Sequence, residues 1–165
     1  MFNKSVLQDI ADILYREHYT IAVAESVTAG LLQAAFASAQ NASVFFQGGI
    51  TAYNARQKYT HLQVDLVNAI SSNCVSEAIA ADMAIGVGRS FSSDWAIAVT
   101  GYASSLPGHD LNPLYAFYAI SFKDEIVKAG EIMTVPAESL NVQLVYVDAI
   151  LLEFLAVLKL REASV

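Results

Sequence analysis

Apolar side chains at Val6, Leu7, Ile10, Ile13 and Leu14 recur at helical spacing, with Gln8, Asp9, Asp12 and Arg16 falling mostly on the other side. That pattern predicts an amphipathic helix over residues 3–18. Thr20-Ile21-Ala22-Val23-Ala24 is a short continuous apolar run, the signature of a strand covered on both faces. A helix is predicted from residue 28 to about residue 38, and Asn41-Ala42-Ser43 reads as a turn. Residues 44–53 read as extended chain, with Gly48-Gly49 marking a bulge or a close backbone approach. Asn54 to Leu62 reads as a short helix, residues 65–70 as a further helical turn, and Ser76-Glu77 as the opening of a longer helix to Val87. Gly86 and Gly88 weaken its end.

Asp94 to Gly101 reads as a second buried strand, followed by a loop over 103–113 that holds Pro107, Gly108, Asn112 and Pro113. Leu114 to Phe122 is rich in strand-forming side chains, and Lys123-Asp124-Glu125 turns it into a second strand, Ile126 to Val135, as a hairpin. Pro136 stops that strand, and Ser139 to Lys159 forms a long apolar helix. Helices alternate with strands first, then a hairpin follows. This order predicts an α/β fold, a three-layer α/β/α sandwich with a mixed sheet, as a single domain over residues 1–165.

Composition narrows the function classes. The chain has 165 residues, room for one domain with a real core. Its net charge of −7 is the opposite of a nucleic-acid footprint, so no nucleic-acid partner is expected. No run of about 18 uninterrupted apolar residues occurs, so no membrane partner is expected. The first five residues lack the apolar block of a signal peptide. One cysteine, Cys74, rules out an intramolecular disulfide and fits a reducing cytoplasm. Hydrophobic residues make up 55% and charged ones 15%, so an apolar face covered by self-association, a homo-oligomer, is expected. His18, His61 and His109 are scattered without ligand spacing, and no metal site is expected.

Candidate chemistry lies where strands end. Ser26 and Thr28 sit on the turn between a strand and a helix, where backbone N–H groups and the positive end of a helix dipole meet. A hydroxyl there is either a helix cap or a nucleophile beside oxyanion donors. Residues 48–58 and Ala98-Val99-Thr100-Gly101 end two further predicted strands, and sites in open α/β sheets gather at such ends. Ser26, Tyr53, Lys58 and Thr100 would then converge. Lys58 can act as a base once desolvation leaves it a neutral amine; otherwise it is a solvated surface lysine, and Tyr53 a strand aromatic. Cys74 reads as a small core or surface residue.

Four blocks, in order, carry a family resemblance. Ala24-Glu25-Ser26-Val27-Thr28-Ala29-Gly30-Leu31 is similar to A-E-S-C-T-G-G-L, and Phe46 to Tyr53 running on to Lys58 is similar to F-x-G-G-V-x-A-Y-x-x-x-x-K. Val75-Ser76-Glu77 through Gly86 and Ala98 to Ala103 match two more. Over residues 5–158 the chain resembles the CinA carboxy-terminal domain family, the competence/damage-inducible proteins, which also occurs alone as nicotinamide-nucleotide amidase. The resemblance implies metal- and cofactor-free hydrolysis of the carboxamide of nicotinamide mononucleotide, a pyridine nucleotide, to the acid and ammonia. It implies Ser26 as nucleophile, Lys58 as base and Tyr53 as assistant. It also implies Glu25, Thr28, Ala29, Gly30, Gly48, Gly49, Thr100 and Gly101 as substrate-binding residues. The chain departs from the family at Val27, at Ala29, in the loop Ser104 to Gly108, and near Gln143, where the family carries a phosphate-binding arginine. These departures favour, as the alternative, a non-catalytic ligand-binding or assembly module.

Overall fold

The computed structural model describes residues 2–108 and 110–163, so His109 lies outside the described residues. Five strands form one sheet in the order β2-β1-β3-β4-β5. The parallel part is β1 (Ile21–Glu25), β2 (Phe46–Thr51) and β3 (Trp95–Gly101), with β1 in the middle. The antiparallel part is the hairpin of β4 (Leu114–Phe122) and β5 (Glu125–Thr134), joined to β3 through β4. Opposite residues pair Gly101 with Ala116 and Trp95 with Phe122. The hairpin turn, Lys123 and Asp124, therefore lies beside the start of β3, and the start of β4 lies beside its end. Both turn residues are left-handed, at φ 49° and 66°.

The alternation of large and small side chains along the strands assigns the two faces. Ile21 and Val23 of β1 and Trp95, Ile97 and Val99 of β3 share a core with α1 (Lys4–Arg16), α2 (Leu31–Ala37) and α7 (Ser139–Glu162). The intervening Ala22, Ala24, Ala96 and Ala98 face α4 (Ala55–Leu62), α5 (Leu66–Ser71) and α6 (Glu77–Phe91). Bulky side chains fill one interlayer space, while a near-continuous alanine surface lets α6 approach on the other. Gly86 belongs to this close packing: a Cβ there would overlap the Leu62 carbonyl at the end of α4. That is why α6 runs through Gly86 and Gly88 to Phe91, beyond the end the sequence suggests, despite a cost of about 1 kcal/mol per helical glycine.

Two other boundaries differ from expectation. The Asn41 turn opens a short helix, α3 (Ala42–Phe45), so β2 starts only at Phe46. Helix α2 starts at Leu31, because Ala29 and Gly30 take left-handed backbone at φ 50° and 104° and the segment 26–30 is a turn. Helix α7 is long and apolar enough to cross a membrane by length and composition. One of its faces, including Val142, Tyr146, Ile150, Phe154 and Leu158, is buried on the sheet.

Candidate active site

Strand β1 delivers Ser26 to the C-terminal edge of the parallel sheet. The Ser26 N–H continues the ladder to the Val99 carbonyl at 3.0 Å, and its side chain is nearly buried. Helix α4 supplies the partner. Asn54 caps α4 by accepting from the Gln57 N–H, and one turn on Lys58 points inward, with no exposed surface. Its Nζ lies 2.8 Å from Ser26 Oγ and donates to the Ala52 carbonyl at 2.8 Å. Ala52 in turn donates its N–H to the Glu25 carbonyl at 2.8 Å. Serine and amine are thus closed into a ring through Glu25 and Ala52. Burial pushes the Lys58 amine below its usual pKa of 10.5, and Cys74 opposes part of that shift. Desolvation disfavours an ammonium with no carboxylate beside it, and the neutral amine gains.

The turn after Ser26 is fixed from within. Glu25 Oε2 accepts from Thr28 Oγ1 at 2.6 Å, Gly30 N–H at 3.1 Å and Leu32 N–H at 2.9 Å. Oε1 accepts from Gln33 N–H at 2.8 Å. One buried side chain therefore satisfies three backbone donors around the start of α2, which that helix cannot satisfy itself. From α7, Gln143 Nε2 donates to the Val27 carbonyl at 2.8 Å and braces the same turn. Among the described residues, the Val27 and Thr28 N–H groups have no acceptor.

A cavity of about 570 Å³ opens over Ser26. Ser26, Lys58, Tyr53 and Thr100 line it, the four residues the strand-end argument brings together, and Gly101 lines it as well. Thr100 is buried and donates through Oγ1 to the Cys74 carbonyl at 2.6 Å, holding the wall together. Tyr53 stands at the rim, 71% exposed, and its hydroxyl makes no hydrogen bond among the described residues. Among the described residues no hydrogen bond joins it to Ser26 or Lys58. The other expected substrate-binding residues are placed differently. Glu25 and Thr28 are buried and spent on each other and on the turn, so they shape the site from behind. Ala29, Gly30, Gly48 and Gly49 do not line the cavity. Gly49 serves packing: a Cβ there would meet Val23 and Gln33 at 2.7 Å.

Several cavity residues were not legible beforehand. Asn73 and Cys74 take left-handed backbone at φ 49° and 63°, which turns Cys74 into the wall rather than into a core or an outer surface. Neither residue type announces that conformation. Tyr102, just after β3, and Ser139, the first residue of α7, join the wall, and Tyr146 Oη donates to the Tyr102 carbonyl at 2.9 Å and ties α7 to this end of the sheet. Among the described residues no cluster of three metal-binding side chains occurs.

Comparison with known proteins gives the family of the chain. The model of the CinA C-terminal domain matches residues 3–141. A CinA-like protein of Chlorobium chlorochromatii is 36% identical over 163 residues, covering 97% of this chain and 38% of that protein. A putative competence-damage inducible protein of Streptococcus pneumoniae is 35% identical over 128 residues, 76% of this chain and 31% of that one. The chain thus spans under two fifths of the length of these curated relatives. Among solved structures, competence damage-inducible protein A of Klebsiella pneumoniae superposes with a TM-score of 0.86 at 23% identity, covering 94% of this chain and 96% of that one. The competence or damage-inducible protein of Enterobacter asburiae does so with 0.87 at 22% identity, over 96% and 99%. At these identities the structures share the fold. The match to the domain model and the Chlorobium relative settle the membership: the chain belongs to the CinA C-terminal domain family.

Proposed function

We propose that the protein is a metal-independent Ser/Lys amidohydrolase of the nicotinamide-nucleotide amidase type. The observation that carries this reading is the 2.8 Å contact between Ser26 Oγ and a fully buried Lys58 Nζ whose pKa is lowered. A serine hydroxyl becomes a nucleophile when a neighbouring base takes its proton, and a desolvated lysine is such a base. The neutral amine accepts the Ser26 proton as Oγ attacks the carboxamide carbon. The oxyanion forms beside the Val27 N–H, a free donor on a residue of the cavity wall. One such donor is worth about 3 kcal/mol in the transition state when it is preorganised. The Lys58 ammonium then protonates the departing nitrogen and ammonia leaves. Water, deprotonated by the same amine, opens the acyl-serine ester and releases the carboxylate.

The test is ammonia release from nicotinamide mononucleotide by the purified protein, with Ser26→Ala and Lys58→Ala expected to abolish it. Turnover that survives Ser26→Ala removes the nucleophile. The exposure of Tyr53, and the lack of a hydrogen bond from it to the pair among the described residues, favour a second reading, a non-catalytic ligand-binding module. That reading predicts a thermal shift with a ligand and no turnover.

A further inference from the structure

We propose that the molecule taken by this cavity is a carboxamide without a phosphate, of nucleoside size, held by neutral hydrogen-bonding groups. This rests on the reading of Ser26 and Lys58 as a hydrolytic pair.

The cavity of about 570 Å³ lies within the usual range for a small-molecule site. Its chemistry is lopsided. Among the described residues that line it, Lys58 is the only formally charged side chain. Both hydrogen-bond contacts of that amine are internal, to Ser26 Oγ and the Ala52 carbonyl. The remaining polar surface is neutral: Asn54, Asn73, Ser104, Ser139 and Gln143, with hydroxyl groups from Tyr53 and Tyr102. Gln143 Nε2 and Asn73 Nδ2 already donate to the Val27 carbonyl and to Tyr102 Oη, and the polar atoms that remain are of the neutral kind that pairs with the hydroxyls of a sugar. A phosphate is held by guanidinium forks, by ammonium groups or by free helix N-termini. Arg56, the arginine nearest Lys58 in the chain, is exposed on α4 and does not line the cavity. The first turn of α7 reaches the cavity at Ser139, and the residue at its N-cap is the acidic Glu138.

A dianion bound in the same cavity would favour the ammonium form of Lys58, against the direction in which burial moves that amine. The net charge of −7 adds a long-range field of the wrong sign for an anionic substrate.

The experiment compares ammonia release from nicotinamide riboside and from nicotinamide mononucleotide by the same preparation, with calorimetric binding of both to Ser26→Ala. The expected result is a kcat/KM at least tenfold higher for the riboside, with binding in the same order. Ser104→Arg, which adds a cation to the wall, is expected to move the ratio toward the mononucleotide. Turnover favouring the mononucleotide overturns the substrate class and leaves the hydrolytic reading intact. Absence of ammonia from both, with the riboside still bound more tightly, overturns the hydrolase and keeps the ligand class. Binding of neither compound overturns both.

Discussion

Replacing Glu25 by glutamine changes one atom of a buried side chain and tests what organises the nucleophile turn. Oε2 accepts three hydrogen bonds and Oε1 one, so the glutamine carbonyl keeps the Oε2 position. Its amide nitrogen then faces the Gln33 N–H, donor against donor. The lost bond to a charged acceptor is worth about 1.5–3 kcal/mol. The three that remain become neutral and roughly half as strong. The expected loss is about 3 kcal/mol, which for a chain of this length lowers Tm by about 6–12 °C. Glu25→Ala strips all four donors of their acceptor and is expected to cost about 5 kcal/mol, close to the whole stability of many domains. Urea unfolding with a common m-value measures both. A Glu25→Gln variant within about 0.5 kcal/mol of the parent, the usual range of a surface change, would refute the claim that this carboxyl group holds the turn.

Further outcomes follow from the same geometry. Among the described residues, Cys74, Tyr53 and Tyr102 are the other titratable groups lining the cavity, and Cys74 opposes the shift of the Lys58 amine. Because its folded pKa lies below 10.5, the unfolded chain binds the extra proton between the two values. Stability relative to Lys58→Met therefore rises with pH through that window, and kcat/KM for ammonia release rises with pH through the folded pKa. A pH-independent difference would contradict the buried amine. Cys74 raises the Lys58 pKa, so Cys74→Ala is expected to move the acid limb of the rate profile to lower pH; a move to higher pH argues against it. Ala29 is exposed at φ 50°, so Ala29→Gly relieves about 1–2 kcal/mol of left-handed strain. Against an entropic cost of about 0.5–1 kcal/mol, the net expectation is a gain of about 0.5 kcal/mol in urea unfolding. Gly86→Ala forces a methyl group into the Leu62 carbonyl, and is expected to cost about 3 kcal/mol and to lower activity by shifting α4 and its Lys58. Unchanged kinetics would show that α4 does not transmit the shift.

The layers of this fold could be read from the chain because burial leaves a strong trace in it. Five consecutive covered positions in β1 and the alternating apolar pattern of α1 each have one reading. Segment ends were harder, because tertiary contacts set them: α6 passes two glycines to keep its approach to Leu62. At the site, the likeness of the 24–31 and 46–58 blocks pointed to Ser26 and Lys58, and both line the cavity. It could not distinguish residues that face the cavity from residues that build its frame. Glu25 and Thr28 are polar, next to the nucleophile and turned away from the open space. Their role depends on which side of the turn each occupies, which a one-dimensional pattern does not record. Cys74 and Ser139 lie far from Ser26 in sequence, and only the folded topology brings them to the same cavity.

The reversal between β4 and β5 has a practical value. Residues 123–124 lie beside the first residue of β3, and the cavity lies at its last, six residues along. At about 3.3 Å per residue, roughly 20 Å of sheet separates them. A fluorophore, an affinity handle or an attachment to a sensor surface inserted between Lys123 and Asp124 would leave the mouth of the cavity unobstructed, so ligand entry could be followed on an immobilised protein.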